Sequence, residues 1–328
     1  VSFYKSHYHP SNSVIMTFGD TPAINHQAEF ENLALSRFSR LDSNISVGFE
    51  KRYLSPIRAE EFYPSEEEGA NNTHIVIGWL LGSSVSIQDL FKAQLLANVL
   101  LGHSGSPLLK KLETTSLGSS PSPICGLDDG NKEMSFMVGL EGCLEGDSQK
   151  VESFILDSLD EFIDQGIPHE QVEAALHQLE LNQREVSGDS YPYGLQLLMS
   201  GLSIALHNGD PTKVLNIDPV LMELREAAKS ETFIPNLIKE LLIKNQHRVT
   251  LALKPDNELA SKKVKAEELI LSDIKKSLSS HQVDKIIRQT KDLSARQAEQ
   301  DNPDVLPKVT LEDVPLNISE PTPTESVL

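Results

Sequence analysis

Residues 73–82, THIVIGWLLG, constrain this chain more than any other stretch. Apolar residues follow one another there almost without a break, the pattern of a strand buried on both faces rather than one. Such a strand needs a sheet around it and helices over it, and the next residues begin to supply them. Ser86 stands where an N-cap belongs, with Asp89 three residues on as its box-like partner, and it opens SIQDLFKAQLLANVLLG. That helix is apolar almost all round, from Leu90 and Phe91 through Leu95 to Leu101, which predicts deep packing.

The rest of the unit follows the same logic. Residues 105–115 read as a short helix with Pro107 in its first turn. The turn-rich SLGSSPSPICGLDDGN reads as an exposed loop. In residues 133–142 Met134, Phe136, Val138 and Leu140 alternate onto one strand face. Val151, Phe154, Ile155, Leu159, Phe162 and Ile163 form the stripe of an amphipathic helix that Gly166 ends. Pro168 starts HEQVEAALHQLELNQREV, and SYPYGLQLLMSGLSIALH reads as a further apolar helix. Two more helices are expected over 218–243, broken near Pro235. Residues 247–254, HRVTLALK, read as a strand with Val249, Leu251 and Leu253 on its core side.

The flanks differ in character. In YHPSNSVIMTFGD, residues 8–20, the turn-formers Pro10, Ser11 and Asn12 precede a strand-like Val14, Ile15 and Met16, with Gly19 and Asp20 behind it. A strand of this kind pairs inside a sheet that only preceding chain could carry, so the expectation is a piece of a larger protein. Residues 24–38 predict a helix with Ile24, Ala28, Leu33 and Leu35 inward. Residues 39–72 lose periodicity and read as a connector. Beyond Pro255, two charged helices meet at Ser279, whose Ser-x-x-Gln pattern with Gln282 is a capping box. They are expected to form an antiparallel hairpin that serves as a spacer, its thin apolar stripe being Leu278, Val283, Ile286, Ile287 and Leu293. The proline-rich tail is expected to be extended.

The organisation that results is 1–45 as the end of a preceding module, 46–72 connector, 73–254 an α/β module, 255–300 helical hairpin and 301–328 tail. The fold class is α/β, an α+β sandwich-like arrangement of an antiparallel or mixed sheet covered by helices.

Composition excludes several functions. Forty-eight acidic against twenty-nine basic residues give a net charge of −19, with no basic patch for a phosphate backbone, so nucleic acid is not an expected partner. HIVIGWLL and LLANVLL fall short of the ~20 residues that span a bilayer, so a membrane is not expected either. Cys125 and Cys143, without paired spacing, fit a reducing compartment and supply no CxxC metal site.

No complete catalytic constellation is present. His7 and His9 flank Tyr8 and read as surface or turn residues. His169, Glu173 and His177 fall at i, i+4 and i+8 of one helix face, but zinc sites built on one helix use two neighbouring turns and recruit a further ligand elsewhere. A solvated face is the expected role of the three. HEQVE, residues 169–173, has Glu173 where His-Glu-x-x-His needs its second imidazole, and HQLEL, residues 177–181, ends on Leu181 where His-x-x-Glu-His needs one. No catalytic, metal or substrate-binding residue is assigned.

Taken in order, YHPSN with its strand and Gly-Asp, THIVIGWLLG, LLGHSGSPLLKKLE, EMSFMVGLEG, HEQVEAALHQLELNQRE, YGLQLLMSGL, VTLALKPDNELASKK and PDVLPKVTLEDVP resemble the presequence-peptidase branch of the pitrilysin/insulinase zinc metallopeptidases. The resemblance spans nearly the whole chain. It implies a hollow clamshell of two halves, each of two α/β modules, joined by a helical hairpin, with zinc held in the first module by an inverted His-x-x-Glu-His and a distant Glu. Those elements would lie before Val1 or beyond Leu328. The helix at the matching place here, KAQLLANVLLG, lacks the motif, as a non-catalytic module should. The resemblance thus implies a central fragment of a zinc endopeptidase acting on unstructured peptides. The fragment would form chamber wall and hinge, without zinc of its own, beside the rest of the same polypeptide. It would lie in the cytoplasm of a bacterium or an organelle matrix of a eukaryote. Self-association through the orphan strand is also open. Two rivals stand beside it: a non-catalytic subunit of the same clan, and a helical adaptor unrelated to proteolysis.

Overall fold

Ile75, Ile77 and Trp79 on one strand, and Met134, Phe136, Val138 and Leu140 on its neighbour, are all at most 1% exposed, and they form the floor on which the helices pack. The computed structural model describes residues 1–42, 45–65, 72–186, 192–306, 308 and 310–314. Its six strands are β1 (Ile57–Pro64), β2 (Thr73–Ser83), β3 (Ser120–Pro121), β4 (Gly126–Asp128), β5 (Glu133–Cys143) and β6 (Arg248–Asp256). They form one mixed sheet in the order β1-β6-β2-β5-β3, with β4 also on β5. Only β1 and β6 run parallel; every other pair is antiparallel.

The helices of this unit are α1 (Ser2–His7), α2 (Ala23–Leu33), α3 (Ile87–Leu101), α4 (Pro107–Thr114), α5 (Ser148–Gln165), α6 (His169–Arg184), α7 (Tyr193–Leu206), α8 (Asp218–Ala228) and α9 (Phe233–Ile238), which runs on into a π-helical turn, Lys239–Ile243. The Ser86 hydroxyl accepts the Asp89 N–H at the start of α3, a cap worth about 1 kcal/mol. Val151, Ile155, Leu159 and Phe162 bury the stripe of α5, each contributing about 1.5–3 kcal/mol. Gly166 stops that helix at φ 75° and ψ 175°, a region glycine enters without steric cost. Both cysteines are free; Cys143 is fully buried, and burial, then Asp147, push its thiol up to about 11.

Several expectations are corrected. The connector over 46–72 contains β1, an edge strand whose partner β6 lies far along the chain. The supposed loop after α4 contains β3 and β4. On β6 the core side is taken by Thr250 and Ala252, while Val249, Leu251 and Leu253 are half-buried on the other face. The helix break falls between α8 and α9, ahead of Pro235, which is buried in the first turn of α9 where the missing N–H costs nothing. Residues 14–16 form no strand, and in α2 Ile24 and Leu33 are exposed; no described side chain of residues 1–42 is buried.

The chain divides into two compact units, Val1–Ala260 and Ser261–Leu328. The second comprises most of α10 (Leu259–Ser277), all of α11 (Ser280–Ala298) and two short 3₁₀ turns, Pro303–Val305 and Leu311–Asp313. The capping box at Ser279 is formed, with the Gln282 N–H donating to Ser279 Oγ at 3.3 Å and the Ser279 N–H to Gln282 Oε1 at 2.9 Å. Neither helix buries a residue, and Ile286, Ile287 and Leu293 of the expected stripe are exposed. The Pro-Thr-Pro end of the tail lies outside the described residues.

Candidate functional site

The histidines and Glu173 of the sequence motifs lie apart from one another or on solvent. His169, Glu173 and His177 are exposed along the solvent side of α6, whose buried stripe is Val172, Leu176 and Leu179. Among the described residues no three His, Cys, Asp or Glu side chains come close enough to hold a metal ion. His7 stacks on Phe3, and His9 accepts the Ser11 N–H in a turn. On α3 the stretch KAQLLANVLLG is core, with Leu95 and Leu100 fully buried.

What stands open is one face of the sheet. Alternation along the strands sends Ile75, Ile77, Trp79, Phe136, Val138, Thr250 and Ala252 under the helices. It sends Tyr63, His74, Val76, Gly78, Leu80, Met137, Gly139, Glu141, Val249, Leu251 and Leu253 to the opposite face. Of these only Val76 and Gly139 are buried, and none belongs to the hydrophobic core cluster. Helices α3, α4 and α5 pack on the sheet, and the turn that follows α9 reaches it at Trp79. The open face is apolar at its centre and polar at one end, where His74 Nδ1 lies 3.8 Å from Glu141 Oε2 and edge-on to the Tyr63 ring. Gly139 is obligatory there, because a Cβ would stand 2.3 Å from the Ile75 carbonyl oxygen. Sequence reading missed this face because it assigned the apolar side of β6 to the core.

The chain enters the sheet through residues 47–53, tied down by β2, β5 and the residue that precedes β6. Arg52 Nη2 donates to the Leu81 carbonyl at 2.9 Å and to Glu133 Oε1 at 2.6 Å, and the Glu50 N–H donates to Glu133 Oε2 at 2.6 Å. His247 is buried, stacks on Tyr53 at 4.0 Å and accepts the Tyr53 N–H through Nδ1 at 3.2 Å. The ring is therefore held neutral, with its proton on Nε2. Burial first, then the Arg52 charge, lower its pKa from the ordinary 6.5, against the opposite pull of Glu50 and Glu133. The unfolded chain thus takes up a proton that the folded chain refuses. Stability is full above pH 6.5 and is lost as pH falls below it toward the folded value. In thermal unfolding followed from pH 8 to pH 5, His247→Phe, which keeps the stack, is expected to show a shallower acid decline than the parent; equal slopes would remove His247 from the account.

The fold and the comparisons agree. The chain belongs to the peptidase M16 family: residues 1–179 match the model described as the peptidase M16 inactive domain, and residues 253–327 match the one described as peptidase M16C associated. It is 31% identical over 336 residues to presequence protease 1, chloroplastic/mitochondrial, of Arabidopsis thaliana, covering 98% of this chain and 31% of the relative. It is 30% identical over 318 residues to the mitochondrial presequence protease of Xenopus tropicalis, covering 95% and 30%. A crystal structure of a protease from Helicobacter pylori shares the fold, with a TM-score of 0.54 at 13% identity over 77% of this chain and 57% of that one. The chain spans about a third of the length of the curated relatives it matches.

Proposed function

We propose that this chain is the central segment of a zinc metalloendopeptidase that degrades unstructured peptides, like the presequence proteases it resembles. In this reading the segment is inactive alone. The open sheet face is part of a chamber wall, α10 and α11 form the hairpin hinge between two halves, and the partner is the rest of the same polypeptide. The observation that carries the reading is the sheet face opposite the core, where Leu80, Met137, Val249, Leu251 and Leu253 stay only half-buried and outside the hydrophobic core. A free-standing domain leaves such a face wet at a cost, whereas a chamber needs one. Zinc belongs to the preceding module, and the place is an organelle matrix in a eukaryote or the cytoplasm of a bacterium. Among the described residues no helix is long and apolar enough to cross a membrane.

A second reading, a non-catalytic subunit of the same clan, is favoured by the match to the inactive domain. The reading frame upstream of Val1 separates the two: an intact His-x-x-Glu-His belongs to the enzyme. For the chain itself the measurement is zinc per folded chain after purification without chelator, with hydrolysis of a quenched fluorescent peptide by the same sample. The expected result is neither zinc nor cleavage. One tight zinc per chain would overturn the assignment and make His169, Glu173 and His177 the first residues to replace.

A further inference from the structure

Helix α3 is apolar almost all round, yet Gln94 and Asn98 stand four residues apart on one of its faces. A primary amide in a packed helix needs hydrogen-bond partners, so two in register need a reason. Both are only half-buried, and both line a cavity of about 360 Å³. One wall of that cavity is β4 with Asp129 behind it, and another is the end of α6, with Asn182 and Gln183.

The charge of the lining is one-sided. Asp129 is the single charged side chain among the described residues that line the cavity. Arg184, next to Gln183 in sequence, is engaged by Glu180 and Asp218 instead. Cys125 also lines the cavity, but its thiol exchanges hydrogen bonds with the Gly139 backbone, and burial pushes its pKa up, so it adds no charge. Asp129 Oδ2 accepts from Gln94 Nε2 at 2.8 Å, which fixes the Gln94 amide, since turning it over would set two oxygens against each other. Gln94 Oε1 is thereby left buried without a donor among the described residues. The two groups of fixed orientation are thus short of donors, while Asn98, Asn182 and Gln183 can each present either end of an amide.

We propose that this cavity is a binding site for a guanidinium group, the side chain of an arginine within a peptide. Asp129 is its counter-charge, the amide oxygens of Gln94, Asn98 and Gln183 are further acceptors, and Leu101 and Leu179 line the path of its methylene stem. A guanidinium is always charged and carries five donors in one plane, so it serves several oxygens around one carboxylate better than a compact ammonium does. That the arginine belongs to a peptide rests on the peptidase reading; the site itself does not, and can be tested in the chain as it stands.

The probe is Nα-acetyl-L-arginine amide, whose blocked ends leave only the side chain to be recognised. It is titrated into the nitrogen-isotope-labelled chain while the side-chain amide resonances of Gln94, Asn98, Asn182 and Gln183, assigned by single replacements, are followed. Saturable shifts are expected with a Kd of about 1 mM, the scale a ligand of this size reaches. The citrulline analogue keeps the shape without the charge; it and the lysine analogue should each bind roughly tenfold more weakly. Asp129→Asn should weaken arginine binding roughly tenfold and leave citrulline binding unchanged. Asn98→Asp, which adds a second carboxylate, should tighten arginine binding roughly tenfold, and it keeps the site testable if Asp129→Asn does not fold. Equal binding of arginine and citrulline, no shift of these amides well above that concentration, or arginine binding indifferent to both variants would overturn the guanidinium site. Free L-arginine bound roughly tenfold more tightly than the blocked form would overturn the peptide as its source and leave a site for the amino acid. Absence of peptide hydrolysis by the longer polypeptide bears on the peptidase reading alone and leaves these titrations untouched.

Discussion

Replacing Glu152 with alanine is expected to lower the stability of the chain by about 3–5 kcal/mol, the loss typical of breaking one side of a buried ion pair. Glu152 sits on the sheet-facing side of α5 with 4% of its side chain exposed. Its Oε2 accepts from Arg58 Nε of β1 at 2.6 Å, and its Oε1 faces Arg248 Nη2 of β6 at 3.8 Å. The two arginines are not equivalent. Arg58 is largely exposed, and water can take over its charge, so that pair by itself contributes little. Arg248 has 12% of its side chain exposed, and its Nε is buried with no partner among the described residues. Burial lowers the Arg248 pKa, with Glu152 as the opposing influence, so without that carboxylate a guanidinium remains under α5 with nothing to balance it. Urea unfolding of Glu152→Ala, Arg248→Met and the Glu152→Met/Arg248→Met double variant measures this. The double variant should be far less damaged than the sum of its parts, because an apolar pair of similar volume removes both charges at once. A loss under about 1 kcal/mol in Glu152→Ala would mean that water already reaches Arg248.

The same triad shows why parts of this fold were hidden from sequence reading. Helices α5 and α6 were legible because each buries one stripe on one core and a 3.6-residue period survives in the sequence, and α3 because it is apolar almost all round. Strand β1 was not, because IRAEEFYP is an edge strand anchored by charges: Arg58 to Glu152, and Glu60, with Glu145 of the β5–α5 turn, to Lys254 of β6. Its identity depends on a parallel partner about 190 residues away, and no local pattern announces that. Strands β3 and β4 are two and three residues long among turn-formers, too short to show alternation. On β6 both faces carry small or apolar residues, so the choice of core side turned on Ile75 and Ile77 across the ladder rather than on β6 itself. Residues 14–16 read as a strand, but a strand is a pairing, and among the described residues they have no backbone partner. As for the site, the sequence put His169, Glu173 and His177 in one row of a helix with a solvated face as their expected role, and all three are exposed. An open sheet face was beyond it, because exposure belongs to the assembled layers.

The other large effect is expected at Trp79, the single tryptophan of the chain, which is 1% exposed on β2. Its ring packs against Phe136 of β5 at 6.1 Å, in the middle of the floor that carries the helices. Its Nε1–H donates to the Leu242 carbonyl at 3.0 Å. Leu242 lies in the π-helical turn that ends at Ile243, and the last carbonyls of a helix have no donor of their own. Trp79 therefore caps that turn from the sheet side as well as filling the core beneath it. Alanine removes both contributions and should cost about 3–5 kcal/mol through the cavity alone. Phenylalanine refills most of the volume but leaves the Leu242 oxygen buried without a partner, for a loss of about 1–3 kcal/mol. Both variants lack tryptophan fluorescence, so urea unfolding is followed by far-ultraviolet circular dichroism. A Phe variant as stable as the parent would show that the carbonyl finds water and that Trp79 acts by volume alone. A Phe variant close to the Ala variant would make the capping bond, rather than the ring, the main link between the β2 floor and the end of α9.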